Sequence, residues 1–252
     1  MNNSKLKQLA QKERERQEAF ANRIYCCQST ACLSAGADVI QMSLEQGIAK
    51  KNGAGENTEV VCTGCMGLCS RGPLVRVEAK GEEPVLYEDV TADLARQIVS
   101  HHVAVDAAKA NEAVKAHDVP HLRSRKQQAP ISKQLARYVL PLDSPFFTKQ
   151  IRVVLSETGR IDPENLDDYL AHGGYQALAQ ILDSMTPEQV CDEIVKSGLR
   201  GRGGAGFPTG IKWNLTRKTE ADEKYVIVNG DEGDPGAYMD RTIMEADPHR
   251  FL

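Results

Sequence analysis

A glycine-rich stretch, Ser197 to Trp213, constrains the fold more than any other part of the chain. It reads Ser-Gly-Leu-Arg-Gly-Arg-Gly-Gly-Ala-Gly-Phe-Pro-Thr-Gly-Ile-Lys-Trp and contains six glycines. Glycine backbone takes positive φ and approaches ligands closely, and here Arg200, Arg202 and Lys212 add positive charge beside the N–H groups. The stretch is therefore predicted to bind an anion.

The residues on either side of this stretch decide which kind of anion site it is. Gly201-x-Gly203-x-x-Gly206 matches the dinucleotide fingerprint, but that fingerprint follows a strand and opens a helix. Thr186-Pro187 and the apolar spacing after it instead predict a preceding helix. Pro208 removes a backbone donor where the following helix should begin. We therefore expect an anion-binding loop without the ordinary Rossmann fingerprint geometry.

Composition limits the classes of protein to which the chain can belong. Of 252 residues, 41% are hydrophobic and 26% charged, which is typical of a globular protein, and the net charge is −4. A negative chain does not fit a general nucleic-acid surface. The sequence shows no signal peptide and no run long enough for a transmembrane segment, so a cytoplasmic protein is expected. In a reducing compartment, seven cysteines indicate metal or redox sites rather than disulfides.

The first part of the chain predicts a small α/β domain. Residues 1–21 are too polar to bury a face and are expected to form a polar N-terminal arm. Residues 22–105 contain a strand ending at Cys26, a helix over 33–48, three short strands and a helix capped by Thr91. The strands are predicted at 59–61, 74–77 and 85–87. Residues 106–141 lose the apolar period, gain prolines and are expected to be a linker.

Residues 142–252 predict the first portion of a second α/β domain. Strands are expected at Ile151–Leu155 and Tyr225–Val228, with helices between them. The second strand runs into the acidic turn Asn229–Gly236, and open α/β sheets bind ligands at such strand ends. A solvated β-turn or a calcium loop remains an alternative for this turn. Two strands are too few for a doubly wound sheet, so either a partner or a longer chain is expected to complete it.

Six of the seven cysteines fall between Cys26 and Cys69. Cys27-x4-Cys32 and Cys65-x3-Cys69 form two pairs, which suit a [2Fe-2S] cluster, and nearby glycines let backbone N–H groups turn toward the sulfurs. Zinc is the alternative, because Cys62-x2-Cys65 has the spacing of many structural zinc sites. Spacing alone therefore leaves the ligand set open. We interpret Cys26 and Cys62 as structural thiols.

Both regions together resemble a known family. Gly-Arg-Gly-Gly-Ala-Gly-Phe-Pro-x-Gly-x-Lys-Trp, from Gly201 to Trp213, and Asn-x-Asp-Glu-x-x-Pro-Gly, from Asn229 to Gly236, are similar to the NADH-binding flavoprotein subunit of respiratory complex I. Residues 22–105 resemble thioredoxin-like [2Fe-2S] ferredoxins. The fusion and the sequence Arg-Ile-Tyr-Cys-Cys most resemble the diaphorase subunit of bidirectional NAD-reducing [NiFe] hydrogenases. The resemblance implies that the chain is the N-terminal part of a longer protein, with a truncated Rossmann-like FMN/NADH-binding domain.

The resemblance also implies roles for individual residues. The residues implied to bind FMN are Gly201, Gly204, Lys212, Asn229, Asp231 and Glu232. Those implied to face the nicotinamide nucleotide are Gly203, Ala205, Phe207 and Asp234, the last of which is glutamate in complex I. Those implied to ligate the [2Fe-2S] cluster are Cys27, Cys32, Cys65 and Cys69. No residue is implied to act as an acid–base catalyst.

The function implied is electron transfer between NAD(H) and iron–sulfur clusters through FMN. The implied partners are the other iron–sulfur and hydrogenase subunits of a hetero-oligomeric complex. A related formate dehydrogenase or electron-bifurcating hydrogenase flavoprotein is an alternative within the same class. Two alternatives lie outside it: a non-catalytic [2Fe-2S] electron-transfer module, and a zinc-binding interaction domain.

Overall fold

The computed structural model describes residues 3–51, 57–103 and 131–252. The strands are β1 (Asn22–Cys27), β2 (Thr58–Thr63), β3 (Val75–Ala79), β4 (Val85–Tyr87) and β5 (Val139–Leu140). The helices are α1 (Asn3–Ala19), α2 (Thr30–Ser34), α3 (Ala37–Ala49), α4 (Ala92–His102), α5 (Lys133–Ala136), α6 (Pro145–Thr148), α7 (Leu166–Ala171), α8 (Gln176–Ser184), α9 (Pro187–Ser197), α10 (Thr209–Lys218), α11 (Met239–Ala246) and α12 (Pro248–Phe251). The predicted α/β class is confirmed.

The strands form one mixed sheet with the order β2-β1-β3-β4-β5. β1 and β2 are parallel, and the other neighbouring strands pair antiparallel. Helices α3 and α4 pack on one face, where the buried core includes Ile24, Leu44, Val77, Tyr87 and Ile98. The parallel pair needs a crossover, and α2 and α3 supply it. The strands and helices predicted for residues 22–103 are confirmed, except that Gly36, at φ +89°, divides the predicted helix into α2 and α3.

The opposite face of the sheet carries a second core. It contains Tyr25, Leu74 and Leu86, and it also contains Cys27 and Cys32. Leu140, Leu142 and Phe147 pack against it from the chain that follows β4. The two faces therefore differ: α3 and α4 cover one, and the other holds Cys27 and Cys32.

Helix α1 packs against the second half of the chain. Leu6 and Ala10 are buried with Leu170 of α7 and Ala179 of α8. Polar contacts continue the interface, because the Gln17 side chain donates to the Asp168 carboxylate at 2.8 Å. The expectation that residues 1–21 bury no face is therefore wrong. Few apolar positions suffice here because α7 and α8 supply the rest of the apolar surface.

The described part of residues 142–252 consists of helices and loops. The predicted strand Ile151–Leu155 is not formed, and neither is Tyr225–Val228; Ile151 is 92% exposed and Val226 is 94% exposed. The physical reason is that a strand needs a neighbour for its N–H and C=O groups. Within the described ranges, neither segment pairs with a strand, and side chains alone bond to the carbonyls of Val153 and Leu155. The helices predicted before the glycine loop are present as α7, α8 and α9.

Most of the predicted linker, residues 106–130, lies outside the described residues, as do residues 104 and 105 at the end of the predicted first domain. The remainder carries structure, since Ser132 caps α5 and Val139 of β5 pairs with Tyr87 of β4. The domain boundaries at 21, 105 and 141 remain predictions. Within the described ranges, no helix combines the length and hydropathy needed to cross a membrane.

Candidate functional site

The loops at one end of the sheet bring four thiols together. Cys27 is the last residue of β1 and Cys32 lies in α2, whereas Cys65 follows β2 and Cys69 begins a short 3₁₀ turn. The Sγ atoms of Cys65 and Cys69 are 3.4 Å apart. On the other loop the Cys27 thiol lies next to that of Cys32 and 3.4 Å from the Ser29 hydroxyl. Both pairs predicted from spacing are thus formed in space.

Hydrogen bonds at the Cys27–Cys32 pair favour a thiolate. The hydrogen bond from Cys32, aided by donors from Ser29 and Met66 against the effect of burial, lowers the pKa of Cys27 to about 6. The same shared proton and burial raise the pKa of Cys32. Backbone N–H groups that point at sulfur stabilise negative charge, as they do around iron–sulfur clusters.

The Cys65–Cys69 pair lies in a similar loop. Gly67, at φ +92°, turns its N–H toward the Sγ of Cys65 at 3.3 Å. Burial raises the pKa of Cys65 to about 12, and the Gly67 donor opposes that rise. Gly72 passes so close to the Cys32 sulfur that a Cβ there would lie 2.7 Å from it. The glycines noted in the sequence therefore let the backbone reach the sulfurs.

This donor set fits a [2Fe-2S] cluster. The cluster takes two thiolates on each iron, and the structure supplies two close pairs on facing loops. Among the described residues, no group of three or more His, Cys, Asp and Glu side chains is arranged to hold a single metal ion.

Cys26 and Cys62 lie outside the thiol group. They are partners in the parallel register of β1 and β2. Cys26 is fully buried in the core beneath α3, and burial raises its pKa to about 12. Burial also raises the pKa of Cys62 to about 11, with Asp162 adding to the rise. Cys191, the seventh cysteine, is buried in α9.

The glycine loop joins α9 to α10. Thr186 closes α9 at its start with a capping box, and Gly198 ends it at φ +70°. The loop then folds back on itself, since the N–H of Gly201 donates to the carbonyl of Phe207 at 2.8 Å. The helix predicted before the loop is therefore confirmed.

Pro208 does not prevent a helix after the glycines. It is the N-cap residue of α10, and the helix starts at Thr209. The expectation that this proline excludes a following helix is wrong, because the first helical turn leaves its own N–H groups unpaired. Gly210 lets α10 cross α9 closely, as a Cβ there would lie 2.5 Å from the Val195 nitrogen. The loop thus leads into a helix N-terminus, which favours anions.

The predicted FMN and nicotinamide residues of this loop face solvent. Gly201, Gly203, Gly204 and Ala205 are exposed. Gly204 takes φ +96°, a conformation that a side chain would strain. Phe207 is 48% exposed, and Lys212 lies exposed in the first turns of α10. The loop therefore presents N–H groups, an aromatic ring and an ammonium group on one accessible surface.

The acidic turn has a different partner. The carboxylate of Glu232 accepts the backbone N–H groups of Asp240 at 2.7 Å and Arg241 at 3.2 Å. It therefore closes the N-terminus of α11. Asn229 Oδ1 accepts the N–H of Asp231 at 2.8 Å, while Asp234 is exposed. Within the described ranges, no hydrogen bond joins this turn to the glycine loop.

Helix α11 reaches from the acidic turn to the thiol loops. Its C-terminal residue Ala246 lies against Gly64, where an added Cβ would come within 2.1 Å of the Ala246 Cβ. The Thr30 hydroxyl donates to Glu245 at 2.9 Å, and Glu245 also accepts from Arg241 at 2.8 Å. Sequence patterns did not identify this contact. Gly64, next to Cys65, is the sequence feature that could have indicated it.

Two segments of the chain, one containing the thiols and one containing the glycine loop, each match a known protein family. Residues 14–102 match the thioredoxin-like [2Fe-2S] ferredoxin family. Residues 194–252 match the Nuo51 FMN-binding domain. The first match contains all four clustered thiols. The second contains the glycine loop, the acidic turn and α11.

Curated relatives agree with this division. HndC, of the NADP-reducing hydrogenase of Solidesulfovibrio fructosivorans, is 55% identical over 41% of this chain and 21% of its own length. A component of the NADH-quinone oxidoreductase of Rhizobium meliloti is 46% identical over 40% of this chain and 24% of its own. The alpha chain of the NAD-reducing hydrogenase HoxS of Cupriavidus necator is 50% identical over 31% of this chain and 14% of its own. The chain spans less than a quarter of each of these relatives.

A solved structure of a thioredoxin-like [2Fe-2S] ferredoxin from Aquifex aeolicus is 24% identical, with a TM-score of 0.30, and covers 34% of this chain and 82% of that one. The two family matches and the placement of the thiols, and not this structural similarity, identify the segments. The chain therefore joins a segment that matches thioredoxin-like [2Fe-2S] ferredoxins to a segment that matches the Nuo51 FMN-binding domain, and its relatives above are subunits of NADH-quinone oxidoreductase and of NAD(P)-linked hydrogenases.

Proposed function

We propose that the protein transfers electrons between NAD(H) and iron–sulfur clusters through FMN, as the diaphorase subunit of an NAD-reducing hydrogenase-type complex. The observation that carries the proposal is the position of α11. Glu232 of the acidic turn caps one end of this helix, and the thiol loops contact the other end. Eight residues of helix span about 12 Å. The two cofactor sites are therefore one short helix apart.

The residues around the thiols have a defined part in this function. Cys27, Cys32, Cys65 and Cys69 hold the [2Fe-2S] cluster, and the N–H of Gly67 stabilises negative charge on Cys65. Burial of three of these thiols keeps water away from the ligands.

The glycine loop has the features of a phosphate site. Its exposed N–H groups, the N-terminus of α10 and the Lys212 ammonium all favour an anion at one place. We assign the FMN phosphate to this place. Gly201 and Gly204 leave room for the phosphate, while Gly203, Ala205 and Phe207 line the side on which the nicotinamide nucleotide binds. FMN supplies the chemistry, hydride exchange with NAD(H) and single-electron exchange with clusters, and the protein sets its position.

The acidic turn completes the assignment. Asn229 and Asp231 bind FMN through polar side-chain atoms, and Asp234 accepts hydrogen bonds from the nicotinamide nucleotide. Glu232 contributes through its fixed position, because two backbone N–H groups hold its carboxylate. Because of these two hydrogen bonds, a movement of the acidic turn would also move the N-terminus of α11.

The partners follow from the relatives. HndC and HoxS alpha are hydrogenase subunits, and the Rhizobium meliloti relative belongs to NADH-quinone oxidoreductase. We propose further iron–sulfur subunits and a hydrogenase or formate dehydrogenase as partners. A cytoplasmic location is part of the proposal.

A second function has its own support. Tyr225–Val228 is exposed and unpaired among the described residues, so the flavin segment lacks the sheet on which FMN-binding loops usually sit. Alone, the 252-residue chain would then act as a [2Fe-2S] electron-transfer module without flavin.

One experiment separates the two functions. The purified chain is analysed for iron, sulfide and flavin, its visible spectrum is recorded, and ferricyanide reduction by NADH is measured. Bound flavin with NADH-dependent reduction supports the diaphorase function, whereas an iron–sulfur spectrum without flavin supports the module. A colourless, zinc-containing protein would overturn both.

Variants of Lys residues on α10 test the phosphate site. In the complete subunit, Lys212→Glu should lose FMN, because it places a negative charge against the phosphate. Lys218→Glu, at the exposed C-terminal end of the same helix, is the matched control and should retain FMN. Wild-type flavin content in Lys212→Glu would contradict the assignment.

A further inference from the structure

A cavity of about 390 Å³ lies behind the thiol loops, between the sheet and the chain that follows α6. This volume is in the range of small-molecule sites. Its apolar wall includes Met66 and Phe147, and its polar wall includes Ser156 and Thr158. Neither the cluster site nor the proposed FMN site uses this cavity.

The charge lining this cavity is entirely positive. Arg76, Arg152 and Arg160 line it, and no Asp or Glu among the described residues does. In the described part of the chain, Arg152 and Arg160 have no side-chain hydrogen bond or ion pair. Arg76 pairs with Glu78 through one terminal nitrogen, but its Nε is buried and has no hydrogen-bond partner within the described ranges. A buried donor without a partner is costly, which points to a ligand that supplies the acceptor.

The cavity also touches the cluster loop. Arg152 packs over Gly67, where its terminal nitrogen would be 3.0 Å from an added Cβ. The N–H of that glycine donates to the sulfur of Cys65. On the other side, Gly159 fits against Met66, with the Met66 Cα 3.2 Å from the position of an added Cβ. A charge in this cavity is thus separated from a cluster ligand by a single loop.

We propose that this cavity binds an oxyanion, a phosphate or carboxylate group, held by Arg76, Arg152 and Arg160. Guanidinium groups suit such ligands because their paired N–H donors match two oxygens at once. Ser156 adds a hydroxyl donor. The apolar wall accommodates an organic part of the ligand beside the anionic group.

Binding of the anion is coupled to the redox state of the cluster. Reduction adds one negative charge near Arg152, so the reduced protein binds an anion more weakly, and by linkage the anion lowers the reduction potential. A tenfold difference in affinity corresponds to about 59 mV for a one-electron couple. This coupling rests on the proposed cluster, whereas anion binding itself does not.

Calorimetric titration of the full chain with inorganic phosphate tests the proposal, at constant ionic strength set with chloride. Saturable binding is expected, and Arg152→Gln or Arg160→Gln should weaken it at least tenfold. Arg137→Gln, an exposed arginine outside the cavity, is the matched control and should change it less than twofold. A parallel titration with succinate tells phosphate ligands from carboxylate ligands. Absence of saturable binding of both, or equal loss in the Arg137 variant, would overturn the proposal.

An EPR-monitored redox titration tests the coupling. Saturating phosphate should lower the cluster potential in the wild type and leave it unchanged in Arg152→Gln. Phosphate binding without any shift would refute the coupling but keep the site. A protein without the cluster signal that still binds phosphate would refute the proposed function alone.

Discussion

Replacing Gly64 with alanine would force α11 away from the thiol loops. The added Cβ would lie 2.1 Å from the Cβ of Ala246 and 2.2 Å from its Cα, whereas ordinary contact begins at 3.4 Å. The helix or the loop must therefore move by about 1.3 Å. Overpacking of this kind costs about 1–3 kcal/mol. The displacement should also weaken the hydrogen bond from Thr30 to Glu245.

Urea denaturation and hydrogen–deuterium exchange together measure this effect. Gly64→Ala should lower the unfolding midpoint and speed exchange across residues 239–246. Gly233→Ala is the control, because a Cβ there meets only the Asp231 carboxylate at 3.8 Å. Adding Ala246→Gly should recover only part of the loss, since the Ala246 Cα stays too close. Wild-type stability with unchanged exchange in Gly64→Ala would refute the contact between α11 and the thiol loop.

Three further predictions concern stability. Burial lowers the pKa of His102 to about 4, and its Nε2 lies 2.7 Å from the Tyr87 hydroxyl. Just below pH 6.5, His102 is protonated in the unfolded chain but stays neutral in the folded protein. Its contribution to the free energy of unfolding is therefore complete above pH 6.5, and up to about 3 kcal/mol is lost as pH falls toward 4. Urea titrations across this range should show that His102→Gln flattens the dependence of the unfolding free energy on pH and that His101→Gln preserves it. Thr186→Ala removes the capping box of α9 and should cost about 1 kcal/mol by thermal unfolding, with a smaller loss in Thr219→Ala as control, because the exposed Thr219 hydroxyl donates only to the Leu215 carbonyl. Asp168→Ala removes a buried carboxylate that contacts Gln17 and His172, and it should lower the free energy of unfolding by about 2–4 kcal/mol. The exposed control Asp167→Ala should lower it by less than about 1 kcal/mol. Equal losses would contradict the α1–α7 interface.

The ferredoxin half could be predicted from the sequence because its elements and their partners are close together along the chain. The strands around Ile24, Val77 and Tyr87 pair within one region of about 80 residues, and a short apolar run or an apolar alternation marks each of them. The thiol pairs follow from the same topology. Loops at one end of a sheet meet, so cysteines placed on them also meet.

The second half could not be predicted to the same depth. Tyr225–Val228 has the composition of a buried strand, but strand formation depends on a neighbour that composition does not reveal. The start of α10 was missed for a local reason, since Pro208 at the N-cap lacks only a donor the helix does not use. The buried face of α1 was missed because its apolar partners lie on α7 and α8, far along the chain.

The packing of α1 also sets the order in which the protein assembles during synthesis. Gln17 and Asp168 are 151 residues apart, and Arg14 and Ala171, which share a second hydrogen bond, are 157 apart. At about 5–20 residues per second, the ribosome needs roughly 8–30 s to make the partner of α1 after α1 itself has emerged. During this time the nascent α1 remains exposed to solvent, while the sheet can already fold. Because α1 has few apolar residues, it exposes little apolar surface that could cause aggregation before α7 and α8 are synthesised.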